Sequence, residues 1–319
     1  MRSGAAVGPG TGAVIASDEV TSIRSPRVKA ARQLARRSSR QRTRLFLAEG
    51  PQAVREALAW GQAAPQPGEG PRGVSGRPGA EGAAGAAGQP EADGAGGVVT
   101  ELFVTAEARS RHDELTAQAA ARGVPVLVVS GQVMAELAQT VTPQGLLAVC
   151  RFIDVPLQRL TAASPRLVVL LANVRDPGNA GTVLRTADAA GADGVVFSDA
   201  SVDPYNSKCV RASAGSLFHL PVVAGSPLRQ AAAALRGAGL QILAAEGSAG
   251  RELDELESDG ALGRPTAWLF GNEAWGLPAD LVALADQAVA VPIYGRAESL
   301  NLAAAAAVCL YASARARRG

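Results

Sequence analysis

Three stretches in the second half of the 319-residue chain set polar side chains on glycine-bearing turns directly after apolar runs. The first, "ANVRDPGNAGTVLR", crowds Asn173, Arg175, Asp176 and Asn179 around Pro177 and Gly178, and Arg185 follows within the helix that the pattern predicts. A helix starting on such a turn leaves its first backbone N–H groups free, which makes a natural anion site. The second, "LFGNEAWGLP", places Gly271, Asn272, Glu273, Trp275 and Gly276 on one tight turn. The third, "PIYGRAESLN", breaks at Gly295 and leads through Ser299 and Asn301 into a closing helix, with Ser299 placed to cap it. Backbone N–H and C=O groups at strand ends can hold an adenine edge or a ribose without charged side chains. One such turn is commonplace; three in order, each polar on an apolar strand, point to a ligand site.

Other chemistries are poorly supported. The chain has no G-x-x-x-x-G-K-[ST] phosphate loop and no G-x-S-x-G nucleophile elbow. It has two histidines, His112 and His219, and His219 lies in the apolar run "GSLFHLPV", which reads as structural. The three cysteines, Cys150, Cys209 and Cys309, form no C-x-x-C pair, which argues against a disulfide framework and a zinc site. No metal is expected, and a reducing cytoplasm is the natural compartment. The longest apolar stretch, residues 302–312, is too short to span a membrane. "GEGPRG", at Gly68, Gly70 and Gly73, matches G-x-G-x-x-G in form but has no strand before it and no helix after it. Trp275 is suited equally to stacking on a ring and to anchoring its own loop.

The elements that must position these loops are legible as alternating strands and helices. In the second half "RLVVLL", "ADGVVFSD", "LQILAAE", "PTAWLFG" and "QAVAVPI" read as strands. "NAGTVLRTADAAG", "PLRQAAAALRGAG", "PADLVALA" and the Ala-rich "SLNLAAAAAVCLYASARA" read as helices. This is α/β grammar with a mostly parallel sheet, in which ligands gather outside the carboxyl ends of strands. Residues 21–153 show a smaller α/β pattern, and "DVPLQRLTAASPR" reads as a linker to a second domain over residues 160–319. Residues 1–20 read as a disordered tail. Residues 61–97, with twelve glycines and five prolines, read as a disordered insertion. Net charge is only +2, yet residues 21–44 carry nine Lys or Arg and no acid. Val28, Ala31, Leu34 and Ala35 recur there at helical spacing, predicting a basic helix that contacts a polyanion. Arg27, Lys29, Arg32, Arg36, Arg37 and Arg40 are its candidate polyanion-binding side chains.

"NVRDPGNAGTVLRTADAAG", "LFGNEAWGLP" and "VPIYGRAESLNLAAAAAVCLY", in this order, resemble the three motifs of the SpoU (TrmH-type) RNA 2′-O-ribose methyltransferases of the SPOUT superfamily. Residues 203–222, "DPYNSKCVRASAGSLFHLPV", resemble the segment between motifs. "PRVKAARQL", "FLAEGPQAVREAL" and "TVTPQGLLAV" more weakly resemble the family's ribosomal-protein-like substrate-binding domain. The resemblance implies a C-terminal trefoil knot, an exception to the rule that chains are unknotted. It also implies a homodimer through the C-terminal domain, S-adenosylmethionine as cofactor and structured RNA, ribosomal RNA favoured over transfer RNA, as substrate. By the same resemblance Gly271, Asn272, Gly276, Val291, Pro292, Ile293 and Leu300 would bind the cofactor. Arg185, Asn179, Glu273, Ser299 and Asn301 would be catalytic, with Arg185 central. A guanidinium stays charged near neutral pH and is a poor base. Arg185 is therefore expected to position phosphate and stabilise a developing alkoxide, and the proton acceptor is left open.

Overall fold

The computed structural model describes residues 19–61, 97–272 and 275–318. The expected tail and insertion fall almost wholly outside these residues, as does Glu273. Val20, the last residue assigned to the tail, is ordered: it pairs in parallel with Val129, donating to the Val128 carbonyl at 2.8 Å.

The N-terminal unit runs α1 (Pro26–Gln33), α2 (Arg37–Thr43), β1 (Leu45–Glu49), α3 (Pro51–Ala59), β2 (Val99–Val104), α4 (Ala106–Arg111), α5 (Asp113–Ala121), β3 (Val126–Val128), α6 (Gly131–Leu137) and β4 (Leu146–Arg151). Its four strands lie in the order β1-β4-β2-β3, with β2 and β3 parallel and the other pairs antiparallel. Both faces are covered, so the inner strand β4 is apolar from Leu146 to Cys150 instead of alternating. Leu147 and Val149 pack toward Val28, Ala31, Leu34, Val133 and Met134 on one side. Leu146, Ala148 and Cys150 pack into the core on the other side.

The C-terminal unit runs α7 (Leu157–Ala162), β5 (Leu167–Leu171), α8 (Pro177–Ala189), β6 (Gly194–Ser198), α9 (Ser207–Ala212), β7 (Val222–Ser226), α10 (Leu228–Gly237), β8 (Gln241–Ala245), α11 (Leu253–Ser258), β9 (Thr266–Phe270), α12 (Ala279–Val282), β10 (Gln287–Val289) and α13 (Leu302–Ala316). Its six strands are all parallel, in the order β10-β8-β9-β5-β6-β7. Strands β5, β6 and β9 are buried at every residue. Val169, Phe197 and Trp268 turn to one layer. Val168, Val196 and Leu269 turn to the other, beneath α7 and α10. All carboxyl ends therefore emerge at one edge, where the three polar loops lie.

Several expectations are corrected. The supposed linker contains α7, whose Leu160 joins the core. Strand β7 and helices α9 and α11 were not anticipated from their mixed composition. Strand β10 and helix α12 are only three and four residues long, because most of their side chains stay at least partly exposed. The single basic helix is two, α1 and α2, and Ala35, placed on its apolar stripe, is exposed in the bend between them.

That bend exists to bury an arginine. Arg40 does not face RNA: its Nε and Nη2 both donate to Asp203 Oδ2, at 2.9 and 2.7 Å, with side chains only 4% and 3% exposed. Nη1 donates to the Leu34 and Ala35 carbonyls at 2.9 Å each, and Asp203 Oδ1 accepts from the Tyr205 amide. The pair crosses from one unit to the other. Around it Tyr205 packs on Phe152 and Phe46, ring centroids 3.8 and 4.7 Å apart, and its hydroxyl donates to Asp154. His219 is structural, as expected, but at the seam between the units and not in the core. Half exposed, it bridges Asp188 of α8 and Glu56 of α3, and its hydrogen bond to Asp188 leads the effects that raise its pKa to about 9. It is thus an imidazolium linking the units near neutral pH.

A buried charge stripped of its partner is costly. Arg40→Ala is expected to destabilise the protein by about 3–5 kcal/mol, seen as a lowered urea midpoint. Exposed Arg36→Ala and Arg37→Ala should shift stability by less than about 0.5 kcal/mol. An Arg40 variant as mild as these would show that the pair does not hold the units together.

Candidate active site

The first loop leaves β5 through Asn173, a non-glycine residue in the left-handed region at φ 56°. Its amide donates to Ser198 Oγ at 3.1 Å. Asp176 then caps α8, its Oδ1 accepting from the Asn179 amide at 2.8 Å. Its Oδ2 accepts from Lys208 Nζ of α9 at 2.7 Å, the leading effect holding this carboxyl below the usual range. The anion at this helix N-terminus is therefore the protein's own carboxylate, which corrects the expectation of a free anion site. Arg175 is exposed and stacks over Trp275, Cζ 5.6 Å from the ring centroid.

The second loop folds back on itself. Asn272 and Gly276 exchange backbone hydrogen bonds, each 3.0 Å, directly after β9. A Cβ on Gly271 would lie 2.5 Å from the Gly276 carbonyl, so only glycine fits beneath the returning strand of the turn. Gly276 sits at φ +65°, a conformation that glycine adopts without strain. The Asn272 carboxamide, 6% exposed, reaches across to donate to the Asn173 carbonyl at 2.9 Å, tying the second loop to the first.

The third loop follows β10, and residues 293–301 are all exposed. Asn301, not Ser299, caps α13, its Oδ1 accepting from the Ala303 amide at 2.9 Å. Its Nδ2 donates to Asn179 Oδ1 at 3.2 Å, joining the third loop to the first.

The second and third loops, with the residues after β8, wall a cavity of about 470 Å³ at the carboxyl edge of β8, β9 and β10. Of the expected cofactor residues, Gly271, Asn272, Gly276, Val291, Ile293 and Leu300 line it, and Pro292 does not. Ser299 is on the wall; Asn179 and Asn301 meet each other beside it. Arg185 is exposed on α8 and makes no ion pair or hydrogen bond among the described residues; it is not on this wall. The cavity also takes in Glu246, Gly247 and Ser248 after β8, which sequence reasoning missed. An acid directly beyond a strand's carboxyl end was the clue. Among the described residues no group of three or more His, Cys, Asp or Glu could hold a metal ion.

The donor set suits S-adenosylmethionine. Val289, Val291, Leu300 and Leu302 offer apolar surface to an adenine, the turn backbones offer donors and acceptors, and the Glu246 carboxylate can accept from ribose hydroxyls. The RNA candidates divide. Lys29, Arg36 and Arg37 are exposed and unpaired among the described residues, whereas Arg27 and Arg32 pair with Glu101 and Glu136 at 3.4 and 3.1 Å.

Residues 166–311 match the SpoU rRNA Methylase family. Residues 92–155 match the RNA 2′-O ribose methyltransferase substrate-binding domain, and residues 25–65 the MRM3-like substrate-binding domain. The chain is 32% identical over 92% of its length to the 23S rRNA (guanosine(2553)-2′-O)-methyltransferase RlmP of Bacillus subtilis, covering 98% of that protein. An AdoMet-bound rRNA methyltransferase from Sinorhizobium meliloti superposes with a TM-score of 0.71 at 29% identity, over 93% of this chain and 97% of that one. The SpoU methyltransferase AviRb from Streptomyces viridochromogenes, in complex with AdoMet, gives 0.69 at 26% identity over 92% and 99%. With the loops, their cavity and these likenesses in agreement, the chain belongs to the SpoU family of RNA 2′-O-ribose methyltransferases.

Proposed function

We propose that this protein methylates a ribose 2′-OH in structured RNA, ribosomal RNA being favoured, with S-adenosylmethionine as donor. The observation that carries this reading is one cavity walled by the second and third loops and joined through Asn272 and Asn301 to the first. When bound, the cofactor supplies an electrophilic methyl group on a sulfonium. Gly271, Gly276 and Leu300 would hold it by backbone and apolar contacts, and Glu246 by its ribose. Asn179, Ser299 and Asn301 line the approach of the nucleotide, and Glu273 is assigned there by the motif alone. Arg185 steers the RNA phosphate and stabilises negative charge as the 2′-oxygen loses its proton.

The protein acts as a homodimer in this reading. Trp275, Ile293, Tyr294, Leu300, Val308 and Tyr311 are six of the seven large apolar side chains exposed among the described residues, and all fall on the loops around the cavity or on α13. Pairing through this face fits Arg185's position off the cavity of its own subunit. The third loop would complete the trefoil knot that the motifs imply. Residues 21–153 would bind RNA, with Lys29, Arg36 and Arg37 on phosphates and Arg27 and Arg32 assisting. Residues 160–319 would carry the chemistry. Three buried free thiols suit a reducing cytoplasm, and no described helix is long and apolar enough to cross a membrane.

Methyl-labelled S-adenosylmethionine is incubated with unmodified ribosomal RNA or transfer RNA, and the RNA is digested to nucleosides. Label is expected on ribose oxygen in ribosomal RNA. Label on a base would overturn the reaction assigned, and label in transfer RNA alone would overturn the substrate. Arg185→Ala should lower turnover by about a hundredfold or more, with cofactor affinity and melting temperature unchanged because the side chain is exposed and unpaired. Near-normal turnover would remove Arg185 from the chemistry.

A further inference from the structure

The loop joining α6 to β4 is built unlike an ordinary surface loop. Glu49 of β1, its side chain only 7% exposed, accepts from the Gln139 amide at 3.2 Å and from the Thr140 hydroxyl. It also accepts from Arg211 of α9 at 3.2 Å. Gln139 Oε1 accepts from Ser207 Oγ, also on α9, at 2.6 Å. At the far end Gly145, φ +81°, has no room for a Cβ, which would lie 2.6 Å from that of Ala108. A nearly buried carboxylate with three donors thus clamps the stem to the other unit. The tip is bare: Val141 is fully exposed, in a protein that buries most of its valines.

From this tip a chain of contacts leads to the cavity. Gln139 meets Ser207; the next residue, Lys208, pairs with Asp176; Arg175 beside it stacks on Trp275; and Trp275 lines the cavity. Val141 and Trp275 are exposed apolar surfaces at the two ends, Trp275 by 60%. Lys208, 56% exposed, and Arg175 are cations between them. A strip with apolar faces for bases and cations for phosphates suits a single strand whose bases are splayed, because unstacked bases seek new faces and the backbone seeks positive charge. A folded protein partner would ask for a broad apolar patch, which a lone valine does not provide.

We propose that the strip from Val141 to Trp275 seats the single-stranded RNA segment flanking the target nucleotide, with Val141 as a fixed wedge against one base. This rests on the RNA-methylating reading above and adds to it the element that registers the substrate. It also gives a reason for the clamped stem: a wedge on a mobile loop would lose its contact to conformational entropy.

The test compares wild type, Val141→Ser and Val141→Ile. Each is assayed for filter binding to unmodified ribosomal RNA without cofactor, and for methyl transfer at varied RNA concentration. Val141→Ser should weaken RNA binding and raise the RNA KM by about tenfold or more, the loss expected on exposing one apolar contact. Maximal rate, cofactor affinity and melting temperature should hold, and Val141→Ile should restore wild-type values. Equal RNA binding by wild type and Val141→Ser overturns the strip while leaving methylation standing. So does failure of Val141→Ile to restore it, since the contact would then not be apolar. Binding that depends on Val141 in a protein that methylates no RNA would keep the strip and overturn the activity.

Discussion

The carboxamide of Asn272 donating to the carbonyl of Asn173 is the contact on which the rest of the site depends. Parallel strands deliver their loops to one edge, but nothing in strand pairing fixes the loops against each other. Asn173 emerges in a left-handed conformation with its carbonyl turned toward β9, and Asn272 is the donor that meets it. Gly271 lets the turn close tightly enough to aim that amide. On one side of the contact lies the cavity; on the other lies α8, with Asn179 and Arg185. A cavity residue and the loop leading into α8 thereby share one hydrogen bond, and Asn301 to Asn179 closes the circuit from the third loop.

A second constraint holds the two units in one orientation. Arg40 with Asp203, Glu49 with Arg211, and His219 between Glu56 and Asp188 all cross the interface. Residues 203–219, which supply one partner in each, carry no cavity residue. The charges of Asp203, Arg211 and His219 serve orientation. Buried ion pairs contribute little net stability, yet one that is fully hydrogen-bonded is strongly intolerant of a missing partner, so it specifies a unique arrangement. An RNA bound to the first unit would then meet the second at a fixed angle.

The fold class was legible because strands buried on both faces are written as continuous apolar runs, as in "RLVVLL" and "PTAWLFG". The three loops were legible because polar residues interrupt those runs at one end. What escaped were features fixed by distant partners. Arg40 is one cation among nine in sequence, and only Asp203, far along the chain, makes it internal. Ser299 and Asn301 are both good caps by type, and the choice between them was made by the backbone of a loop without regular structure. Asp176 looked like a flank of an anion site and proved to be the anion. Glu246 stands at the carboxyl end of a correctly predicted strand with Gly247 and Gly250 after it, a signal that was present in "AEGSAG" and was passed over. Gly271 is required by the turn's own backbone, since a Cβ there would meet the Gly276 carbonyl at 2.5 Å.

The most direct measurement is calorimetric titration of S-adenosylmethionine into Asn272→Ala, paired with its turnover at saturating cofactor. Removing the carboxamide leaves the Asn173 carbonyl without this donor, a loss of about 1–3 kcal/mol. If that hydrogen bond couples the cavity to α8, to which the proposed function assigns Arg185's role, both affinity and maximal rate should fall, each by about tenfold or more. Weakened binding with an unchanged maximal rate, or the reverse, would contradict the account, because the two loops would then be positioned independently.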